Sequence, residues 1–229
     1  MAKHDVTIIL PAYNEEKTIG EIIRRLAALP IDKEIIVVDD ASTDATPEEI
    51  KNSGIDVFHI TQPHNQGKGA AIRAALAQAN GEVTIVQDAD LEYDPDEIPK
   101  LVQPVIDGKT DIVYGSRFMS GMNKRMALPN KVVNKLLVWA VAVLFGRKIT
   151  DEATCYKAIR TSVLRDMNLQ CNRFEFCPEV TAKAMRMRKQ IIELPIDYEP
   201  RSKAAGKKIR WTDGVEAFWT LLRHRFSKF

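Results

Sequence analysis

The sequence predicts a single α/β domain, a mostly parallel central sheet with helices on both faces. Two observations carry that prediction. Short apolar runs of strand length alternate with segments of helical periodicity through the first half of the chain. Those runs are continuously apolar rather than alternating, as strands covered on both faces must be. The 229 residues suffice for one large core, and no internal repeat, low-complexity tract or linker divides them, so 1–229 reads as one domain.

Residues 6–10 form the first strand, and Ile19, Ile22, Ile23 and Leu26 then fall on one face of a helix. Residues 35–38 form a second buried strand. Thr46 reads as the cap of the next helix, with Pro47 in its first position and Glu49 closing a capping box. A third strand at 57–60, an alanine-rich helix at 69–79 and a fourth strand at 83–86 follow. A proline-interrupted helix near 98–106 leads to a strand at 111–114. The second half is less regular: helices at 131–145 and 174–187, a strand at 191–198 and a last helix at 213–226. That helix places Val215, Phe218, Leu222 and Phe226 on one face with Trp219 beside it, and Trp139 is expected in the core.

The net charge of +2 conceals a division. Residues 1–114 carry 10 Lys+Arg against 21 Asp+Glu, and residues 115–229 carry 23 against 10. An acidic half suits a cation site, and a basic half suits a phosphate-bearing partner or an anionic membrane surface; the bland alternative is mutual neutralisation of the two halves. Cys155, Cys171 and Cys177 form no CxxC pair, which argues against a disulfide framework and for a reducing cytoplasm, with the thiols as small buried hydrophobes. His4, His59, His64 and His224 are too scattered for a zinc cluster. The apolar start is too short for a secretory signal. The longest apolar stretch, residues 136–145, falls short of the ~20 residues that span a bilayer.

Ligands of such sheets bind outside the carboxyl ends of the strands. The residues in those places are 11–15, 39–44, 63–68 and 88–90, and all four segments are polar or acidic. Asp88 and Asp90 follow an apolar strand, and two carboxylates two residues apart point the same way in extended backbone. They offer hard oxygen ligands to Mg²⁺ or Mn²⁺, which bridges the phosphates of a nucleotide diphosphate, although ordinary loop polarity produces the same pair. Asp40 is expected to face ligand, and Asp44 to cap the following turn. Gly67, Lys68 and Gly69 open the alanine-rich helix, whose start attracts anions and whose lysine adds charge. Neither the Walker spacing nor GxGxxG is present.

Nine stretches in order carry a resemblance: ILPAYNEEKTIG, IIVVDDASTDAT, HNQGKGAAIRAA, VQDADLEYDP, YGSRF, DEATCYKAIR, FEFCPEV, ELPIDYEPR and GKKIRWTDGVEAFWTLLRHRF. Together the chain resembles the family 2 glycosyltransferases, in particular enzymes like dolichol-phosphate mannose synthase and the polyprenyl-phosphate sugar transferases. The resemblance implies a Rossmann-like, glycosyltransferase A-type domain, with 1–114 binding a UDP- or GDP-linked sugar and 115–229 binding the acceptor. It implies base contacts from Pro11, Tyr13 and Glu15, completed by Val38 and Asp40, and a metal and diphosphate motif at Asp88, Ala89 and Asp90. Arg117, Arg201 and Lys207 resemble basic residues that meet the diphosphate or an acceptor phosphate, and the loop 201–208 is expected to close over substrate. Asp151 resembles an acidic position near sugar and acceptor. Where relatives often read DxTCGFR, this chain has Tyr156 and Lys157, a departure that touches acceptor geometry.

The activity so implied is inverting transfer from a nucleotide-diphosphate sugar, with a polyprenyl phosphate as the favoured acceptor. A phosphate monoester, with a second pKa of ~6, needs positioning rather than a base. A hydroxyl acceptor needs a carboxylate to take its proton, and Asp151 and Glu175 are the candidates. The helices 131–145 and 213–226 are read as surfaces for a prenyl tail and anionic headgroups, or as ordinary packing helices. Many relatives continue into membrane-spanning helices, so contact with a membrane is expected to be peripheral, at its cytoplasmic face. Nucleic acid is not an expected partner. Two rivals are a sugar-phosphate nucleotidyltransferase, whose glycine-rich loop after the first strand is replaced here by residues 11–15, and a non-catalytic nucleotide-sugar sensor.

Overall fold

The computed structural model describes residues 4–119, 126–200 and 211–227, with the backbone alone described at Trp211 and Thr212. The strands are β1 (His4–Ala12), β2 (Lys33–Asp39), β3 (Phe58–Thr61), β4 (Gly81–Val86), β5 (Ile112–Ser116), β6 (Lys157–Arg160) and β7 (Ile191–Pro195). They form one sheet in the order β3-β2-β1-β4-β6-β5-β7. Every pairing is parallel except those of β6, which runs antiparallel to both β4 and β5. Residues 6–10 of β1 are all fully buried, so side chains pointing to opposite faces both meet cover, as the continuous apolar run required.

The helices are α1 (Ile19–Ala28), α2 (Thr46–Asn52), α3 (Lys68–Gln78), α4 (Ile98–Ile106), α5 (Leu128–Phe145), α6 (Thr161–Asp166), α7 (Phe176–Arg186) and α8 (Trp211–Phe226). Ile19, Ile22, Ile23 and Leu26 are fully buried on α1, the face that the periodicity marks. A second, smaller apolar cluster joins Leu137, Ala140 and Val141 of α5 to Ala182 and Met185 of α7 and Ala217 and Leu221 of α8.

Four expectations are corrected. Thr46 is the first residue of α2 rather than its cap: its hydroxyl donates to Asp44 and accepts the Glu15 N–H, and Glu49 closes no capping box. The strand expected at 191–198 leaves the sheet after Pro195. The face of α8 that turns inward is Ala217, Leu221 and His224, while Val215, Phe218, Trp219 and Phe226 are exposed. Trp139 is 62% exposed rather than in the core.

Strand β6 escapes the periodicity because Lys157 interrupts its apolar run. Lys157 is nonetheless buried, its ammonium donating to the Glu152 and Thr154 carbonyls at 2.8 and 2.9 Å and lying 3.9 Å from the Tyr114 ring centroid. A buried cation is tolerated where carbonyls and a ring face replace water.

Candidate active site

The parallel strands β2, β1, β4 and β5 deliver their carboxyl ends to one edge of the sheet, and antiparallel β6 delivers its amino end to the same edge. Residues 39–44, 11–15, 88–90 and 116–117 therefore meet residues 151–156, which precede β6.

At the β1 and β2 ends, hydrogen bonds tie the two loops together. Asn14, with φ +52°, donates its N–H to Ser42 Oγ at 2.9 Å, and its side-chain oxygen accepts the Thr43 N–H at 2.8 Å. Asp39 accepts the Ser42 N–H, and Asp44 accepts the Thr46 and Glu16 amides, so both act as turn and helix caps. Pro11, Tyr13 and Glu15 are half-buried beside them. Val38 is fully buried in the core, so its side chain faces packing rather than a ligand. Asp40 is 3% exposed, and its two oxygens accept the Gln66 and Gly67 amides at 2.7 and 2.8 Å. It holds the next loop in place.

That loop behaves differently from the expectation of an anion-attracting helix start. The Gly69 amide donates to the Arg173 carbonyl and the Ala70 amide to the Asn172 carbonyl, each at 3.0 Å. With Gln66 and Gly67 bonded to Asp40, four of the amides around the start of α3 are satisfied within the protein. Gly67 has φ +94°, and a Cβ there would lie 2.5 Å from the Asn172 carbonyl oxygen. Gly67→Ala combines a left-handed backbone with a backbone clash, each costing ~1–3 kcal/mol, and is expected to lower the urea midpoint accordingly. An unchanged midpoint would contradict the packing of this loop against residues 172–173.

What α3 presents to the sheet edge is Lys68. Its ammonium donates to Asp88 Oδ1 and lies 3.3 Å from the Cys155 sulfur, whose own S–H is 3.4 Å from the same carboxylate oxygen. Burial opposes the charged ammonium, but the Asp88 carboxylate outweighs it and lifts the lysine pKa well above its ordinary value. Burial pushes the Cys155 thiol well up, so this cysteine is a protonated donor rather than only a small hydrophobe. Ala89 is buried, and its carbonyl accepts the Thr18 hydroxyl at 2.6 Å, which pins the middle of the Asp88–Asp90 turn to the start of α1. Asp90 is half-buried and accepts the Glu92 N–H at 3.1 Å, around Leu91 at φ +58°.

The two carboxylates, half-buried at a strand end, suit a hard divalent cation by donor chemistry. No group of three His, Cys, Asp or Glu side chains able to hold a metal occurs among the described residues. Among the described residues the protein thus offers two carboxylates, as for Mg²⁺ ions that keep water and take phosphate oxygens as their other ligands.

Arg117 and Asp151 form the second half of the site. The guanidinium meets the carboxylate in two-point fashion, Nε to Oδ2 at 2.7 Å and Nη2 to Oδ1 at 2.8 Å, and the Arg117 N–H adds a third bond at 3.0 Å. The side chains are 9% and 0% exposed. Burial opposes the Arg117 charge, Asp151 outweighs it, and the pKa rises well above the usual arginine value. Asp151, expected beside sugar and acceptor, is instead sealed behind Arg117 and orients it. The Arg117 guanidinium carbon also lies 5.0 Å from the Tyr198 ring centroid. Glu175, the other base candidate, accepts the Arg173 N–H at 2.7 Å. Arg201 and Lys207 lie outside the described residues.

Sequence reasoning missed Thr18, Cys155 and the tyrosines. Tyr93 accepts the Cys155 N–H at 3.1 Å and its ring packs tilted against Tyr156 and edge-on against Tyr198, while Tyr198 donates to Glu92. A single bridge between Tyr93 and Tyr198 thereby joins the loop after β4 to the segment that leads into residue 201. Only the tyrosine count near two acidic segments hinted at this, because no periodicity encodes a one-residue bridge.

Residues 7–167 match the sequence model of the family described as Glycosyl transferase family 2. The chain is 32% identical to the UDP-N-acetylglucosamine–dolichyl-phosphate N-acetylglucosaminyltransferase of Methanococcus voltae, covering 100% of this chain and 99% of that protein. It is 30% identical to the dolichol-phosphate mannosyltransferase of Pyrococcus furiosus, over 88% of this chain but 58% of that protein. The undecaprenyl-phosphate mannosyltransferase of Micrococcus luteus is 29% identical over 97% of this chain. Among solved structures, glucosyl-3-phosphoglycerate synthase from Mycobacterium tuberculosis with UDP superposes with a TM-score of 0.76 at 20% identity, covering 99% of this chain and 82% of that one. The same enzyme with Mn²⁺ and UDP-glucose gives 0.75 at 19% identity. These solved structures share the fold.

Proposed function

Because the chain belongs to glycosyl transferase family 2, we propose that it moves a sugar, with inversion, from a nucleotide-diphosphate sugar to a polyprenyl phosphate at a membrane surface. The named substrates of the relatives above support a lipid phosphate as acceptor and a nucleotide sugar as donor.

Within this reading, Pro11, Tyr13 and Glu15 surround the base, Asp40 supports that pocket by holding residues 66–67 in place, and Asp88 and Asp90 would hold Mg²⁺ or Mn²⁺. Such an ion, when bound, offsets the charge gathering on the departing diphosphate. Lys68, Arg201 and Lys207 add positive charge there, and Arg117, fixed by Asp151, meets the acceptor phosphate. The reaction breaks the bond from the anomeric carbon to the diphosphate oxygen as an acceptor phosphate oxygen attacks from the opposite face.

The observation that carries the choice of acceptor is the Arg117–Asp151 pair. A carboxylate with no exposed surface, bound at both oxygens by a guanidinium, is not placed to take a proton from a hydroxyl. A lipid phosphate arrives already ionised and requires a fixed cation, which is what Arg117 is.

The exposed apolar side chains support membrane contact. Leu128, Val132, Leu136, Trp139 and Val143 on α5 and Val215, Phe218, Trp219 and Phe226 on α8 all face outward. Arg223 and Arg225 lie at the end of α8, where cations meet anionic headgroups. Helix α5 is long and apolar enough by composition to cross a membrane, yet Leu137, Ala140 and Val141 pack it against α7 and α8, which favours lying on the surface over spanning.

Incubation with labelled UDP- and GDP-sugars, Mn²⁺ and polyprenyl phosphate in anionic vesicles is expected to yield an acid-labile lipid monophosphate sugar. The rate is expected to rise through pH ~6 with acceptor ionisation and to level off above it. Transfer to polyprenol in place of polyprenyl phosphate, or to water-soluble acceptors alone, contradicts the proposal.

A further inference from the structure

We propose that Lys68 is a built-in counter-ion for the metal motif: it neutralises Asp88 in the free protein and passes to the diphosphate when metal and nucleotide arrive together, so the ion is not taken up alone. This rests on the reading of the site as one for a metal-bound nucleotide diphosphate.

Three observations lead there. First, one carboxylate oxygen of Asp88, Oδ1, already receives both the Lys68 ammonium and the Cys155 S–H. Lys68 and Asp88 are 21% and 20% exposed, so water screens this pair only partly. Second, among the described residues no third metal-binding side chain joins Asp88 and Asp90. A bare divalent ion must therefore compete with an ammonium already neutralising Asp88, and among the described residues it finds few protein ligands in return. An ion chelated by a diphosphate brings its own oxygens, and it brings negative charge to which the displaced ammonium can turn.

Third, Lys68 carries the only formal charge in the segment 66–70. The amides of Gln66 and Gly67 go to Asp40, and those of Gly69 and Ala70 go to the carbonyls of Arg173 and Asn172. With those four amides engaged, the Lys68 ammonium is the charged group this loop has to offer. Its flexible four-carbon stem and compact charge suit a cation that changes partners, where an arginine would be held in a two-point clasp.

The test measures Mn²⁺ uptake by titration calorimetry and by the electron spin resonance signal of free Mn²⁺. Wild type, Lys68→Met and Lys68→Arg are each titrated with Mn²⁺ alone and with Mn²⁺ plus UDP or plus GDP. Lys68→Met is expected to take Mn²⁺ alone at least tenfold more tightly than wild type, and the nucleotide diphosphate at least tenfold more weakly. Lys68→Arg, which keeps the charge, stays close to wild type for Mn²⁺ alone. Should Lys68→Met fail to fold by circular dichroism, Lys68→Gln is read in the same way. If the neutral variant binds Mn²⁺ alone no more tightly than wild type, the counter-ion role is overturned. Failure of wild type to bind UDP or GDP with Mn²⁺ would instead overturn the nucleotide reading, while the Mn²⁺-alone comparison still decides the role of Lys68.

Discussion

Arg117→Met is expected to lower the thermal midpoint by roughly 10 °C, because removing one partner of a buried pair costs ~3–5 kcal/mol and a chain of this size loses ~2–4 °C per kcal/mol. The cost comes from what is left behind. Asp151 is fully buried, and three of its hydrogen bonds come from Arg117. The shorter apolar side chain leaves a carboxylate with no water and no guanidinium. The Arg117→Met, Asp151→Leu double variant removes both charges and is expected to recover most of the lost stability, since an apolar replacement of a buried pair is often neutral. Activity is expected to stay lost in both, because the phosphate-facing cation is gone. Urea and thermal unfolding of wild type and the two variants decide the matter. Equal stability of wild type and the single variant contradicts a buried pair, and activity in the stable double variant contradicts a role for Arg117 beyond folding.

Asp90→Ala carries the second large effect, of the opposite kind. Asp90 is half-buried at the sheet edge. Its replacement is expected to change unfolding free energy by less than ~1 kcal/mol, as for a substitution away from the core. The transfer rate is expected to fall on the order of a thousand-fold, since loss of metal-assisted charge stabilisation forfeits several kcal/mol in the transition state. Asp90→Asn separates charge from shape: it keeps an oxygen that can accept the Glu92 N–H, yet it offers a much poorer cation ligand. Initial rates over a range of Mn²⁺ concentrations measure both variants. Either one retaining a tenth of the wild-type rate at saturating Mn²⁺ contradicts the metal assignment.

The amino-acid pattern by itself determined most of the sheet and its coverage. Buried strands near residues 6–10, 35–38 and 83–86, and the inward face of α1, follow from apolar runs and a 3.6-residue period, both of which are local properties. The gathering of acidic segments at one edge was also legible, because parallel strands place their carboxyl ends together. Strand β6 was hidden by Lys157, whose burial depends on distant carbonyls and a ring. The outward turn of Trp139 and of the aromatic face of α8 was likewise hidden, since periodicity shows that a helix has an apolar face but not which face meets its neighbours.

Tertiary structure alone decided how the charges are spent. Arg117 meets Asp151 across 34 residues, Lys68 meets Asp88 across 20, and the amides at the start of α3 are claimed by residues 172–173. A side chain's charge is written in the chain, but its partner is whichever opposite group the sheet order brings within about 3 Å. In a half-buried site that partner, more than the residue type, settles whether a carboxylate binds a cation, holds an arginine or stays sealed from substrate.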